Sequence, residues 1–260
     1  MRQTILAAVL LSATATAQTK VPGDPYDSDP VGIVADPCPT HPKPTNGWQM
    51  YNLRMLTRDH GQLCRYAAQN TAIKTPVRVV FIGDSVTDNR ISADASLFTK
   101  GVVDRGVSGQ TTSQMLIRFR NDVILLHPKA VHMMAGTNDI AGNTGAATMA
   151  TVEGNIASMA ELAHAHGIKV ILASVPPAAA FQWSPSKRPV PQIADLNIWL
   201  RGYAKAHGYS YVDYHAALTN SEGGMKPGLS TDGVHPTPAG YAVMKPLALA
   251  VIADTLGSRQ

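Results

Sequence analysis

The stretch VRVVFIGDSVTDN, residues 77–89, runs without a break from β-favouring apolar residues into Gly83, Asp84 and Ser85. A short apolar run with no polar alternation reads as a strand buried on both faces. A strand that ends by presenting a serine at a tight turn holds a hydroxyl rigidly and leaves it exposed.

Downstream, strand-like and helix-like segments alternate. Val77–Ile82, Val102–Val107, Ala130–Ala135, Ile168–Ala173 and Tyr209–Asp213 read as short buried strands, and Thr112–Leu126, Thr148–His166, Pro191–His207 and Pro238–Leu256 as helices. In the second of these helices Val152, Ile156, Met159, Leu162 and Ala163 mark one apolar face, and Gly167 falls where a helix stop belongs. Such alternation implies βαβ units and a parallel sheet covered on both faces, with function in the loops at the carboxyl ends of the strands.

Four stretches fall at such loops: Gly83-Asp84-Ser85 after the first strand, RGVSGQTT (105–112) after the second, AGTNDI (135–140) after the third, and STDGVHP (230–236) before the last helix. Together they hold the parts acyl transfer needs. Ser85 can supply the nucleophilic hydroxyl, His235 the general base and later the general acid, and Asp232 a carboxylate to orient the imidazole. The backbone N–H groups of Ser85 and Gly109 and the side-chain amide of Asn138 can supply three donors to an oxyanion. Any one stretch has an ordinary reading as a turn or a cap; four in order, each at a strand end or before the last helix, do not. Asp139 is expected to bond local backbone and fix the loop that aims Asn138.

These blocks resemble the four blocks of the SGNH, or GDSL, hydrolase family in order and approximate spacing, from about Val77 to Leu256. The details FIGDSVT, GVSGQTT and GTNDI look most like the branch holding the platelet-activating-factor acetylhydrolase subunits and secreted carbohydrate esterases. The resemblance implies a flavodoxin-like α/β fold, a three-layer α/β/α sandwich around a central parallel five-stranded sheet. It also implies a serine esterase with Ser85, Asp232 and His235 as its triad and Ser85, Gly109 and Asn138 as its oxyanion hole. No metal or organic cofactor is required. A short acyl ester, acetyl on a small-molecule or polysaccharide substrate, is the leading expectation. A lysophospholipase or thioesterase taking longer chains, and a carbohydrate-binding protein without turnover, are the alternatives.

With 45% hydrophobic and 15% charged residues the 260-residue chain can bury one sizeable core. Its formal charge of +4 includes no basic run interleaved with aromatics, so nucleic acid is not an expected partner. Met1-Arg2, an apolar segment from Ile5 to Leu11 and the small residues around Ala15 and Ala17 read as a signal peptide, residues 1–17, cut after Ala17. That predicts a secreted or periplasmic protein with no other stretch of transmembrane length.

Residues 18–46 are Pro-rich and read as an extended surface segment, and residues 47–260 as one hydrolase domain opening with a docking helix between Trp48 and about Ile73. Cys38 and Cys64, the two cysteines, read as either a disulfide or two buried thiols. His164 and His166 are two apart and share no helix face, so they make no metal site. His127 and His132, flanking a strand, read as surface and core residues. The long segment PPAAAFQWSPSKRPVPQ (176–192) holds Phe181 and Trp183, which can stack on a sugar or line an acyl pocket, with ordinary loop packing as the alternative.

Overall fold

A computed structural model describes residues 59–257, all within one compact unit. The signal peptide, the Pro-rich extension, Cys38 and the first part of the docking helix lie outside the described residues. The chain order from there is α1 (Ala67–Ala72), β1 (Val79–Gly83), α2 (Ser85–Asp88), α3 (Arg90–Ala93), β2 (Val102–Gly106), α4 (Thr112–Asp122), β3 (Ala130–Met134) and α5 (Thr137–Ala141). It continues through α6 (Met149–Ala165), β4 (Lys169–Ala173), α7 (Pro189–His207), β5 (Ser210–Val212), α8 (Tyr214–Leu218) and α9 (Pro238–Leu256).

All strand pairings are parallel, and the order is β2-β1-β3-β4-β5. This is the α/β/α sandwich around five parallel strands that the alternation and the resemblance predict. Every residue of β1 is buried, as the unbroken apolar run requires of a central strand. The two-residue side-chain period then divides the core. Val80 and Ile82 join Val131, Met133, Met115, Phe119, Ile156, Leu196 and Leu200 under α4, α6 and α7. Val79 and Phe81 join Met134, Ile171, Val86, Tyr241, Met244 and Ile252 under α2 and α9. Full burial of each large apolar side chain contributes about 1.5–3 kcal/mol, so the strand sequence alone commits material to both layers.

In register, Gly83 lies level with Gly106 on one side and Met134 on the other. The chain leaves β1 for β2 on one side and returns past it to β3 on the other, so a crevice opens at the carboxyl end of β1. Gly106 lets α2 lie directly on the end of β2: a Cβ there would stand 2.1 Å from the Asp88 backbone nitrogen.

Two expectations change. The apolar spacing from Trp48 to about Ile73 predicts one helix, but among the described residues of that span 59–66 form turns and Ala67–Ala72 is helical. Gln62 has a φ of 51°, a left-handed conformation that no helix accommodates. The absence of a further stretch of transmembrane length is also corrected. Among the described residues α9, nineteen residues long, is long and apolar enough to cross a membrane. Here it buries Tyr241, Met244, Ala248 and Ile252 against the sheet.

Candidate active site

Strand β1 stops at Gly83, and Asp84 caps α2 by accepting from the Val86 N–H at 2.9 Å. This makes Ser85 the first residue of a helix that begins at a strand end, partly open where its neighbours are buried. Burial is the main influence on Asp84 and pushes its carboxyl up to about 6, against the opposing bond from Val86. A carboxyl so enclosed is a structural cap.

The loop before α9 brings the imidazole to this hydroxyl. His235 Nε2 lies 2.8 Å from Ser85 Oγ although the residues are 150 positions apart. On its other side His235 Nδ1 lies 2.6 Å from Asp232 Oδ2. The carboxylate is held by its own turn: Oδ1 accepts from the backbone N–H groups of Val234 and His235 at 2.9 and 2.8 Å and from the Ser230 hydroxyl at 3.1 Å. Burial, the largest single influence, pushes the Asp232 carboxyl up, but the bonds from His235 and Val234 outweigh it and hold the group well below the usual carboxylate range. An anion aimed at Nδ1 favours the tautomer that leaves Nε2 free to accept a proton from Ser85.

The loop after β2 carries Gly109 at a φ of 82°, a left-handed conformation that glycine adopts without strain. Three neighbours hold this loop. Asp88 accepts from Ser108 N and Oγ at 3.0 and 2.7 Å. The buried Arg118 donates to Gln110 Oε1 at 2.5 Å, to the carbonyls of Arg105 and Gly83 at 2.7 and 3.1 Å, and to Asp122 Oδ2 at 3.1 Å. Gln110 Nε2 donates to the Gly61 carbonyl at 3.1 Å.

From the loop after β3, Asn138 is buried and donates through Nδ2 to the Gln110 carbonyl at 3.0 Å. An amide nitrogen has two hydrogens, which leaves a second N–H for an incoming oxyanion. Asp139 accepts from Thr112 N at 3.0 Å and from Thr112 Oγ1 at 2.6 Å. It therefore anchors its loop, but to the start of α4, 27 residues away, and not only to the local backbone expected of it. Ser85, Gly109, Asn138, Asp232 and His235 thus belong to loops at one edge of the sheet, an arrangement chemically competent for acyl transfer.

Phe181 is corrected. It is fully buried and stacks beneath Trp183, with ring centroids 5.1 Å apart, so it reaches neither a sugar nor an acyl pocket. Trp183 is 44% exposed, and its ring centroid stands 6.2 Å from that of His235. Asn143 escapes a reading of the sequence, yet its amide touches Gly109, Asn138 and Trp183. The signal available was the Gly142-Asn143 pair that closes the five-residue α5. His132 is a core residue, 3.0 Å from the Tyr214 hydroxyl. Among the described residues no group of three or more His, Cys, Asp or Glu could hold a metal ion.

A model of the GDSL-like lipase/acylhydrolase family matches residues 81–243. A protein of Bacteroides fragilis assigned as an acylhydrolase is 45% identical, with a TM-score of 0.72 over 75% of this chain and 98% of that one. Axe2, an acetylxylan esterase from Geobacillus stearothermophilus, is 21% identical and shares the fold, with a TM-score of 0.56 over 68% of this chain and 94% of its own. The lipoprotein YqeF of Bacillus subtilis is 28% identical over 128 residues, 48% of this chain and 44% of that one. The chain therefore spans under half the length of that curated relative.

Proposed function

The chain belongs to the GDSL-like lipase/acylhydrolase family and is an ester hydrolase; from that premise we propose that it is an exported serine esterase removing short acyl groups from a carbohydrate. The observation that carries the mechanism is the hydrogen-bonded line from Ser85 Oγ through His235 to Asp232, 2.8 and 2.6 Å. Ser85 Oγ attacks the ester carbonyl as its proton passes to His235 Nε2. The negative charge on the carbonyl oxygen is met by the N–H groups of Ser85 and Gly109 and the amide of Asn138. His235 returns the proton to the departing alcohol, leaving the acyl group on Ser85. Water then attacks the acyl-serine with His235 again as base, and the carboxylic acid leaves.

The acyl and alcohol preferences rest on two supports. The exposed indole of Trp183 stands beside His235, the residue that would protonate the leaving alcohol, and offers a sugar ring a stacking face. The fold is also shared with an acetylxylan esterase. Export rests on the basic, apolar and small-residue order of residues 1–17.

The test is hydrolysis of p-nitrophenyl esters from acetyl to palmitoyl, beside Ser85→Ala and His235→Ala. Activity confined to short acyl groups and lost in both variants is the expected result. A maximum at long chains would move the substrate to lipids, and binding of carbohydrate without turnover would replace the esterase with a lectin-like role. The amino-terminal sequence of the exported protein is expected to begin after Ala17.

A further inference from the structure

Four polar contacts run in series from the exposed wall of the site to its buried donors. Trp183 Nε1 donates to Asn143 Oδ1 at 3.1 Å. Asn143 Nδ2 donates to the Gly109 carbonyl at 3.0 Å and to Asn138 Oδ1 at 2.9 Å. Asn138 Nδ2 donates to the Gln110 carbonyl at 3.0 Å.

The polarity of this series is decided at its outer end. An indole N–H only donates, so the atom of Asn143 facing Trp183 must be the amide oxygen. Its nitrogen then faces inward, and each of its two hydrogens has an acceptor. The Asn138 atom it meets must be oxygen, which turns the Asn138 nitrogen toward Gln110 and leaves one N–H over. Reversing the Asn143 amide would set like against like at three contacts, and reversing that of Asn138 at two; a buried group left unmet costs about 1–3 kcal/mol. The helix α5 closes through Gly142 at a φ of 79°, and Asn143 N returns to the Asn138 carbonyl at 3.0 Å. The turn is therefore what stacks one amide over the other.

We infer that Asn143, held by Trp183, is a positioning residue that sets the amide polarity of Asn138 and, by fixing the Gly109–Gln110 peptide, limits rotation about Gly109, whose N–H lies on the preceding peptide, so that both oxyanion donors point at the reacting carbonyl. The inference rests on the serine-esterase reading. Asn143 touches no reacting atom; it acts through the two groups that do. Trp183 then has a second task beside offering its face to substrate, because its N–H sits behind the donors.

Asn143→Asp keeps the shape and the acceptor toward Trp183 but removes both donors, and Trp183→Phe keeps the ring but removes the N–H. On p-nitrophenyl acetate, Asn143→Asp is expected to lower kcat about 10- to 100-fold with KM within about threefold, since a donor that strengthens in the transition state is misaligned. Trp183→Phe should lower kcat in the same direction by a smaller factor. In an Asn138→Ala background Asn143→Asp should cost much less than alone, because the group it aims is gone. The side-chain amide resonances of Asn138 should shift in both single variants, and a fall in melting temperature of several degrees should leave both fully folded at the assay temperature. Unchanged kcat in Asn143→Asp, a rise in KM alone, or an undiminished loss in the Asn138→Ala background would overturn the inference while the esterase reading stands. A parent enzyme that hydrolyses no ester, and whose Ser85 takes no fluorophosphonate label, would overturn both.

Discussion

Asp88, the last residue of the helix that Ser85 begins, accepts hydrogen bonds from both the backbone N–H and the hydroxyl of Ser108, at 3.0 and 2.7 Å. The element carrying the nucleophile is thereby tied to the residue just before Gly109. Arg65 pairs with the other Asp88 oxygen at 3.1 Å. Asp88→Ala is expected to lower kcat about tenfold, because a donor displaced by a fraction of an ångström forfeits much of its transition-state bond. Steady-state kinetics would show this against a small change in melting temperature.

Asp232→Asn preserves the bulk of the turn but replaces an anion with an amide that can offer hydrogens to the imidazole. The tautomer that frees Nε2 toward Ser85 then loses its support. A fall in kcat of about 10³–10⁴ is expected, with the fold intact by circular dichroism.

Gly109→Ala tests the left-handed turn. At a φ of 82° an alanine is strained by about 1–2 kcal/mol, and the peptide relieves that strain by rotating its N–H away from the substrate. Loss of kcat should exceed what the drop in melting temperature alone explains. A variant with reduced stability and unchanged kcat would remove Gly109 from the donor set.

Stability should fall with rising pH through Asp104. Burial, chiefly, and then the Asp88 charge push this carboxyl from its ordinary 3.8 up to about 7, against the bond it accepts from Gly106 N. Between those values the folded chain keeps a proton that the unfolded chain has released. The stability contributed by the neutral carboxyl is whole below the ordinary value and is lost as pH rises through about 7. Relative to Asp104→Asn, whose side chain does not titrate, the parent should lose melting temperature between about pH 4 and 7 and level off above. A constant difference would show that the group is not protonated in the fold.

We expect Cys38 and Cys64 to be joined, as the proposed export would allow; no described cysteine is free. The chain denatured without reductant should then take up no thiol reagent. Labelling of two thiols would refute the pairing.

How far the sequence reaches differs from residue to residue. Ser85, Gly109, Asn138, Asp232 and His235 are legible because their chemistry demands particular residue types at particular strand ends, and the unbroken apolar run of β1 fixes where such an end falls. Phe181 is misread because two aromatics two residues apart on a loop do not announce which turns inward. Arg118 passes unnoticed because a charged residue on an amphipathic helix is ordinarily solvated, and only the meeting of three elements reveals its buried carbonyl partners. Asn143 looks like a turn residue until the fold lays its amide over that of Asn138. The docking helix is read as running through residues 59–66 because apolar spacing carries no warning of the left-handed Gln62.

The hydroxyl is translated well before the imidazole that activates it. Among the described elements Ser85 precedes four of the five strands, while Asp232 and His235 follow all five. Domains acquire structure as the chain is made, so a nascent or carboxyl-truncated product holds a serine with neither base nor carboxylate. Synthesis therefore keeps the chain chemically silent until the loop that carries Asp232 and His235 has been made, and a premature stop codon between Ser85 and that loop yields an inert fragment rather than a poorly controlled hydrolase.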